Sequence, residues 1–205
     1  MTATPPDQGR GVALVVLDVQ NELVDPAGVV GSHGLADRVA ERKLLPAVRR
    51  LLTAARVADV PVVHVGNGFR AGHPEVDEAN PLTAGAKAGN EFVLGSWGAQ
   101  FHPEVAPEPG ELTITKSGMS GFAGTELDPL LTVLRVRTLV LCGLVTNIAV
   151  EGTARDAADR GYRPVVVSDA CIGLDDTLHE FSCTVIRRFG RVVNLQDALD
   201  EFLSR

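Results

Sequence analysis

The stretch "CGLVTNIAVEGTARDAADRGY", Cys142–Tyr162, decides the fold. Its first residues close an apolar, β-branched run that begins at Thr138. A turn around Gly143 follows, then a helical pattern that stops at Arg160–Gly161. Strand, turn and helix in this order are the repeating unit of parallel α/β sheets. It is also a layout on which α/β enzymes mount a nucleophile. Yet the first helical turn here offers Asn147, Ile148 and Ala149, with neither serine nor cysteine.

The same alternation recurs outward from this unit. It predicts strands at Val12–Asp18, Pro61–Gly66, Glu111–Lys116, Thr138–Gly143, Arg163–Asp169 and Arg191–Asn194, all apolar on both faces as strands covered by helices should be. Helices are expected at Pro46–Ala58, Glu126–Leu134, Asn147–Arg160, Thr177–Phe189 and Leu195–Leu203. In the first of these, Val48, Leu51, Leu52 and Ala55 form one apolar stripe. Pro46 suits a first helical turn and Gly161 a helix stop. Phe69–Pro109 lacks this periodicity, is rich in Gly, Pro and Ala, and carries the only tryptophan, Trp97. A connection that long reads as a functional loop or lid. The expectation is one doubly wound, three-layer α/β/α domain over residues 1–205, with 1–11 a polar mobile tail lacking any apolar signal region.

Composition narrows the function. With 45% hydrophobic and 22% charged residues in 205, the chain is globular and long enough for a sizeable core. A formal net charge of −7 argues against a nucleic-acid surface. No apolar run approaches the ~20 residues that span a bilayer. The three cysteines, Cys142, Cys171 and Cys183, lack metal-type spacing and fit a reducing cytoplasm.

In open α/β sheets, ligands bind beyond the carboxyl ends of the strands, near the switch in strand order. That rule selects Asp18, Gln20, Asn67, Lys116 and the turn Gly143–Ala149. Asp18 and Lys116 form a plausible proton-handling pair. A structural ion pair is an equally open reading of the spacing.

At these residues the sequence resembles the isochorismatase-like (cysteine hydrolase) superfamily. Three blocks carry the likeness: "LVVLDVQNEL", "ITKSGMSGFAGTELDPLL" and "LCGLVTNIAVEGTARDAADRGYRPVVVSDAC". The resemblance implies a six-stranded parallel sheet ordered 3-2-1-4-5-6 and a small-molecule substrate. It also implies dimers or tetramers, with Asp18 as general acid/base and Lys116 as its electrostatic partner. It places a cis peptide at Val145–Thr146 and backbone donors for an oxyanion at Val145, Thr146 and Ala149. The family's nucleophilic cysteine falls on Ala149, and a methyl group cannot form a thioester. Gln20, Asn67, Trp97 and Phe122 are candidate substrate contacts, with Trp97 and Phe122 expected to make the pocket apolar.

A departure at that position has a counterpart within the superfamily. True isochorismatases and the dihydroanthranilate-forming enzymes carry glycine there, and they hydrolyse a vinyl ether by protonation from Asp and attack of water. The resemblance therefore implies thiol-independent hydrolysis through Asp18 and Lys116. Two alternatives stay open: an amidase disabled at Ala149, by engineering or by decay, and a non-catalytic binding protein on the same fold.

Other motifs carry less. "GMSGFAG", Gly118–Gly124, is neither a dinucleotide nor a Walker loop and reads as flexible site lining. The closely spaced Asp and His set by which nicotinamidases of this family bind metal is absent from "HVGNGFRAGHPEVDEAN". Neither a metal nor a cofactor is therefore expected. His64 reads as a core or cleft residue, and His33, His73 and His102 as loop residues. His179 reads as a surface or interface residue, Asp169 as structural, and Arg155–Asp159 and Asp156–Arg160 as helix-face ion pairs.

Overall fold

The computed structural model describes residues 11–204. The proposed tail at 1–11 lies outside them except for Gly11, whose carbonyl accepts N–H bonds from Arg137 and Thr138 (2.6 and 2.9 Å) and so belongs to the fold.

Six strands form one parallel sheet in the order β3-β2-β1-β4-β5-β6. They are β1 (Val12–Leu17), β2 (Val62–Asn67), β3 (Leu112–Lys116), β4 (Thr138–Leu144), β5 (Arg163–Ile172) and β6 (Arg191–Val193). Each lies where the sequence pattern puts a strand, and the expected order is the observed one. β1 and β4 are buried along their whole length. β3 departs from the two-sided expectation. It is an edge strand, and it alternates, with Thr113 and Thr115 exposed and Ile114 and Lys116 buried. One face of an edge strand lacks a covering layer there, so period 2 returns.

The helices are α1 (Asn21–Val24), α2 (Leu35–Glu41), α3 (Leu44–Val57), α4 (Pro81–Ala88), α5 (Leu127–Val133), α6 (Glu151–Asp159), α7 (Asp176–Ile186) and α8 (Leu195–Phe202). From β1 the chain steps to β2 through α3. From β4 it steps the opposite way, to β5 through α6 and to β6 through α7. Right-handed crossovers in opposite directions put α3 and α6 on opposite faces, which makes three layers. In agreement, α3 packs with α8 and α6 packs with α7. On α3 the buried stripe is Leu44, Ala47, Val48, Leu51, Leu52 and Ala55.

Two local features shape the sheet centre. β4 and β5 slip register between Leu141 and Gly143, and this bulge carries β5 past Asp169 to Ile172. Asp169 is therefore an exposed mid-strand residue and not a strand end. Gly143 sits at φ +117, where an added Cβ would lie 2.0 Å from the Leu17 carbonyl oxygen. Only glycine allows β4 this close to β1.

Five elements were not expected from the sequence: α1, α2, α4 and the 3-10 turns Gly31–His33 and Pro103–Val105. The long Phe69–Pro109 connection thus contains α4 and the turn Pro103–Val105. The expected helix-face pairs also differ: Arg155 pairs with Glu151 at 2.7 Å and Arg160 with Asp128 at 3.5 Å. A Glu one turn N-terminal to a basic residue is the better-oriented helical pair.

Candidate active site

Four strand ends converge next to the topological switch between β1 and β4. Asp18 follows β1 in the left-handed region (φ 55), a conformation that Asp tolerates better than most residues. Its N–H donates to the Val65 carbonyl of β2 (2.8 Å), which fixes the turn. Lys116 ends β3, and its Nζ lies 2.8 Å from Asp18 Oδ2. The same Nζ donates to Asn67 Oδ1 at 2.7 Å and to the Gly118 carbonyl at 3.1 Å. Asp18 and Lys116 are 3% and 2% exposed, so this is an ion pair removed from water.

Gln20 explains why Asn67 points at Lys116. Its side chain accepts from the Asn67 N–H (2.8 Å) and donates to the Asn67 carbonyl (2.8 Å) and to Ala99 (2.7 Å). These bonds commit Gln20 to bracing the strand end, and it does not line the cavity. Asp18 Oδ1 is buried without a hydrogen-bond partner. Burial pushes the Asp18 carboxyl up, and the Lys116 charge with the Lys116 and Asn67 hydrogen bonds offsets this only in part. A carboxyl so placed can carry a proton at higher pH than an exposed one.

Above the pair lies a cavity of about 150 Å³ lined by Asp18, Asn67, Lys116, Val145 and Ala149. The turn after β4 supplies the last two. It is a π-type turn, Thr146–Val150, and its cis peptide joins Leu144 to Val145, one residue before the expected Val145–Thr146. Without proline, nothing in the sequence marks which bond is cis. Thr146 is fully buried and points away from the cavity lining, sharing a 2.9 Å hydrogen bond between its Oγ1 and His179 Nδ1. His179 is thus an internal brace on α7, 5% exposed, and not a surface residue. Its other nitrogen faces Cys183 Sγ at 3.8 Å.

Trp97 and Phe122 are not brought to the cavity. Trp97 is 46% exposed and touches the region only through its carbonyl, which accepts from Asn21 Nδ2 at 2.9 Å. Phe122 stacks on Tyr162 (5.9 Å between centroids) under the Arg160 guanidinium. Phe69 and Phe92 provide the aromatic wall instead, with Leu23, Leu35 and Ile148. Sequence reading missed them because they belong to the lid. The Phe69 N–H donates to the Phe92 carbonyl (3.0 Å) and the Leu94 N–H to the Phe69 carbonyl (2.8 Å), pinning the lid's two ends together. His73 is buried there and not an open loop residue. It stacks on Phe69, and its Nε2 donates to the Glu91 carbonyl at 2.8 Å. The available signal was Asn80–Pro81, an N-cap and N1 pair.

No thiol reaches the cavity. Cys142, Cys171 and Cys183 are buried and absent from its lining. Burial pushes Cys142 up to about 12 and raises Cys171 and Cys183. His64 lies inside β2, buried, with Nε2 3.1 Å from Glu111. Among the described residues no group of three His, Cys, Asp or Glu is placed to hold a metal. None of the described helices is long and apolar enough to cross a membrane.

The buried Asp18–Lys116 pair sits at the strand ends where open α/β sheets bind their ligands, and comparison with known proteins gives the family. The isochorismatase domain model matches residues 12–197, and the chain belongs to that family and is a hydrolase. Among curated relatives, the ureidoacrylate amidohydrolase RutB of Stutzerimonas stutzeri is 33% identical over 170 residues, 77% of this chain and 68% of that protein. Among solved structures, an isochorismatase family protein from Desulfovibrio vulgaris has a TM-score of 0.80 at 31% identity, covering 93% of this chain and 97% of that one. The N-carbamoylsarcosine amidase of Thermoplasma acidophilum has a TM-score of 0.73 at 29% identity, covering 90% and 96%.

Proposed function

We propose that this chain hydrolyses a small molecule without a side-chain nucleophile. Asp18 delivers the proton, Lys116 balances its charge, and water attacks. The observation that carries this reading is the pairing of a buried, half-satisfied carboxyl at the cavity with the exclusion of all three thiols from it. In the vinyl-ether form of the reaction, Asp18 protonates the double-bond carbon and leaves an oxocarbenium ion. Water adds to that ion and gives up its proton to the Asp18 carboxylate, and the hemiketal collapses to a ketone and an alcohol. A cavity with apolar walls favours the protonated carboxyl that the first step needs. Ala149 leaves room where, by resemblance, the superfamily's amidases carry their cysteine. Val145, Thr146 and Ala149 are proposed backbone donors.

The amidohydrolase names of the relatives favour a second reading, an amidase scaffold that lacks its nucleophile. A paired assay of the unmodified protein and Ala149→Cys separates the two. The panel holds isochorismate, an uncharged vinyl ether and small amides, with products read by mass spectrometry. Vinyl-ether turnover by the unmodified chain, lost in Asp18→Asn, supports the first reading. Amide turnover confined to Ala149→Cys supports the second. Silence from both variants favours a binding protein. We further propose a single-domain, cytoplasmic protein, dimeric or tetrameric. Three free buried thiols agree with a reducing compartment.

A further inference from the structure

The cavity has a second carboxylate that the proposed chemistry does not use. Glu91 lines it, half-buried, at the end of the lid that follows α4. Burial raises its pKa, and neighbouring Glu22 adds to the effect.

Other acidic side chains of the lid and its surroundings have partners. Glu75 pairs with Arg70 at 2.9 Å and Glu78 with Lys87 at 2.6 Å. Glu22 accepts the Val29 N–H at 2.6 Å. Lys87 is one helical turn before Glu91, yet it is committed to Glu78. Two histidines, His33 and then His73, oppose the rise through their charge, but neither bonds the carboxylate, and the His73 Nε2 proton goes to the backbone carbonyl of Glu91. Among the described residues, the Glu91 carboxylate has neither a hydrogen bond nor an ion pair.

The remainder of the cavity sharpens the point. Among the described residues, the only basic one that lines it is Lys116, whose charge is already answered by Asp18 at 2.8 Å. No basic side chain among the described lining residues is therefore left over to pair with a carboxylate ligand. A partly desolvated anion in an apolar wall is costly unless a cation or strong N–H donor meets it.

We propose that Glu91 recognises the protonated nitrogen of a small, otherwise apolar substrate, holding it so that the bond to be cleaved faces Asp18. The inference rests on the cavity being the substrate site. It assigns the substrate class as an organic ammonium or amidinium, and it disfavours dicarboxylates. The apolar body is small, because a cavity of roughly 150 Å³ suits a benzene-sized molecule.

The test uses three isosteric probes, isopentylammonium, isopentanol and isovalerate, titrated calorimetrically into the full chain. The ammonium is expected to bind about ten-fold more tightly than either analogue, the size of one charge-assisted hydrogen bond. Glu91→Gln should erase that preference. Glu75→Gln removes the same charge from a carboxylate that Arg70 already holds, and should leave the preference intact. An ammonium that binds no better than isopentanol, or a preference that survives Glu91→Gln, overturns the proposal. Because the readout is binding and not turnover, a failed hydrolysis panel and a failed Glu91 assignment remain separate results.

Discussion

Lys116 meets three acceptors at once: the Asp18 carboxylate, the Asn67 amide oxygen and the Gly118 carbonyl. That saturates an ammonium, which has three protons to give. Its place follows from register, since Lys116 pairs with Asn67 across β2 and β3. Removing one member of such a pair leaves a charge buried without its partner. Lys116→Met is therefore expected to lower stability by roughly 3–5 kcal/mol. The double variant with Asp18→Asn should lose clearly less than the sum of the two single changes, because neither charge then remains. Urea unfolding of the four proteins checks this, and strict additivity would count against a coupled pair. The thiols give a second prediction. Buried and with raised pKa values, Cys142, Cys171 and Cys183 should resist iodoacetamide in the native state and react only in denaturant. Ala149→Cys should add one site that labels without denaturant, since position 149 lines the cavity. Labelling of the native unmodified protein at a rate near that of a free thiol would contradict the burial.

Among the elements, α4 joins the lid to the cavity. Asn80 caps it by accepting the Leu82 N–H at 3.1 Å, Pro81 starts it, and Leu82, Thr83 and Ala86 line the cavity. Losing an N-cap costs about 1 kcal/mol. In an eight-residue helix that packs by one face, the loss stays local. Asn80→Ala should raise amide exchange across Pro81–Ala88 about five-fold and weaken ligand binding, with the urea midpoint of the sheet unchanged. A matching drop in global stability would mean that α4 is part of the main cooperative unit. This element also shows where sequence reading stops. The six strands and α3 were legible because long apolar periodicity survives without knowledge of neighbours. α1 is only four residues long and α4 buries Ala86 alone, so neither shows an apolar period; α2 was missed although α5, of the same seven-residue length, was expected. Asp18, Asn67 and Lys116 were legible because strand ends in a parallel sheet converge. Phe69, Glu91 and Phe92 were not, because only tertiary closure of the lid brings them to the cavity. Trp97 and Phe122 show the converse: an aromatic residue near a site in sequence carries no information about which way it faces.

At the scale of the whole molecule, one electrostatic network lies away from the cavity and contributes to the response to acid. Glu111 begins the edge of the sheet at β3, where the Arg56 guanidinium from α3 meets it through Nε at 2.8 Å and NH2 at 2.9 Å. His64 Nε2 lies 3.1 Å away on β2. Burial alone would raise the Glu111 pKa. The Arg56 hydrogen bonds, the Glu108 N–H and the Arg56 charge more than offset this and hold it at about 2. His64 is pushed down, chiefly by burial, so at neutral pH it meets Glu111 as an uncharged ring. A depressed carboxyl binds protons more weakly in the folded than in the unfolded chain. Its stabilisation is therefore complete above the unfolded value near 4.5 and is lost as pH falls toward about 2. The shift is worth roughly 2–3 kcal/mol at neutral pH, given that Glu111 is only 12% exposed. Asp18, with its raised pKa, acts in the opposite sense and softens the total dependence. Glu111→Gln isolates the network. It should be less stable than the unmodified protein at pH 7, and the gap should close between about pH 4.5 and pH 2, where the unmodified protein takes up a proton that the variant cannot. Urea midpoints measured across that range test it. A gap of constant size would mean that Glu111 stabilises the chain through packing and not through its charge.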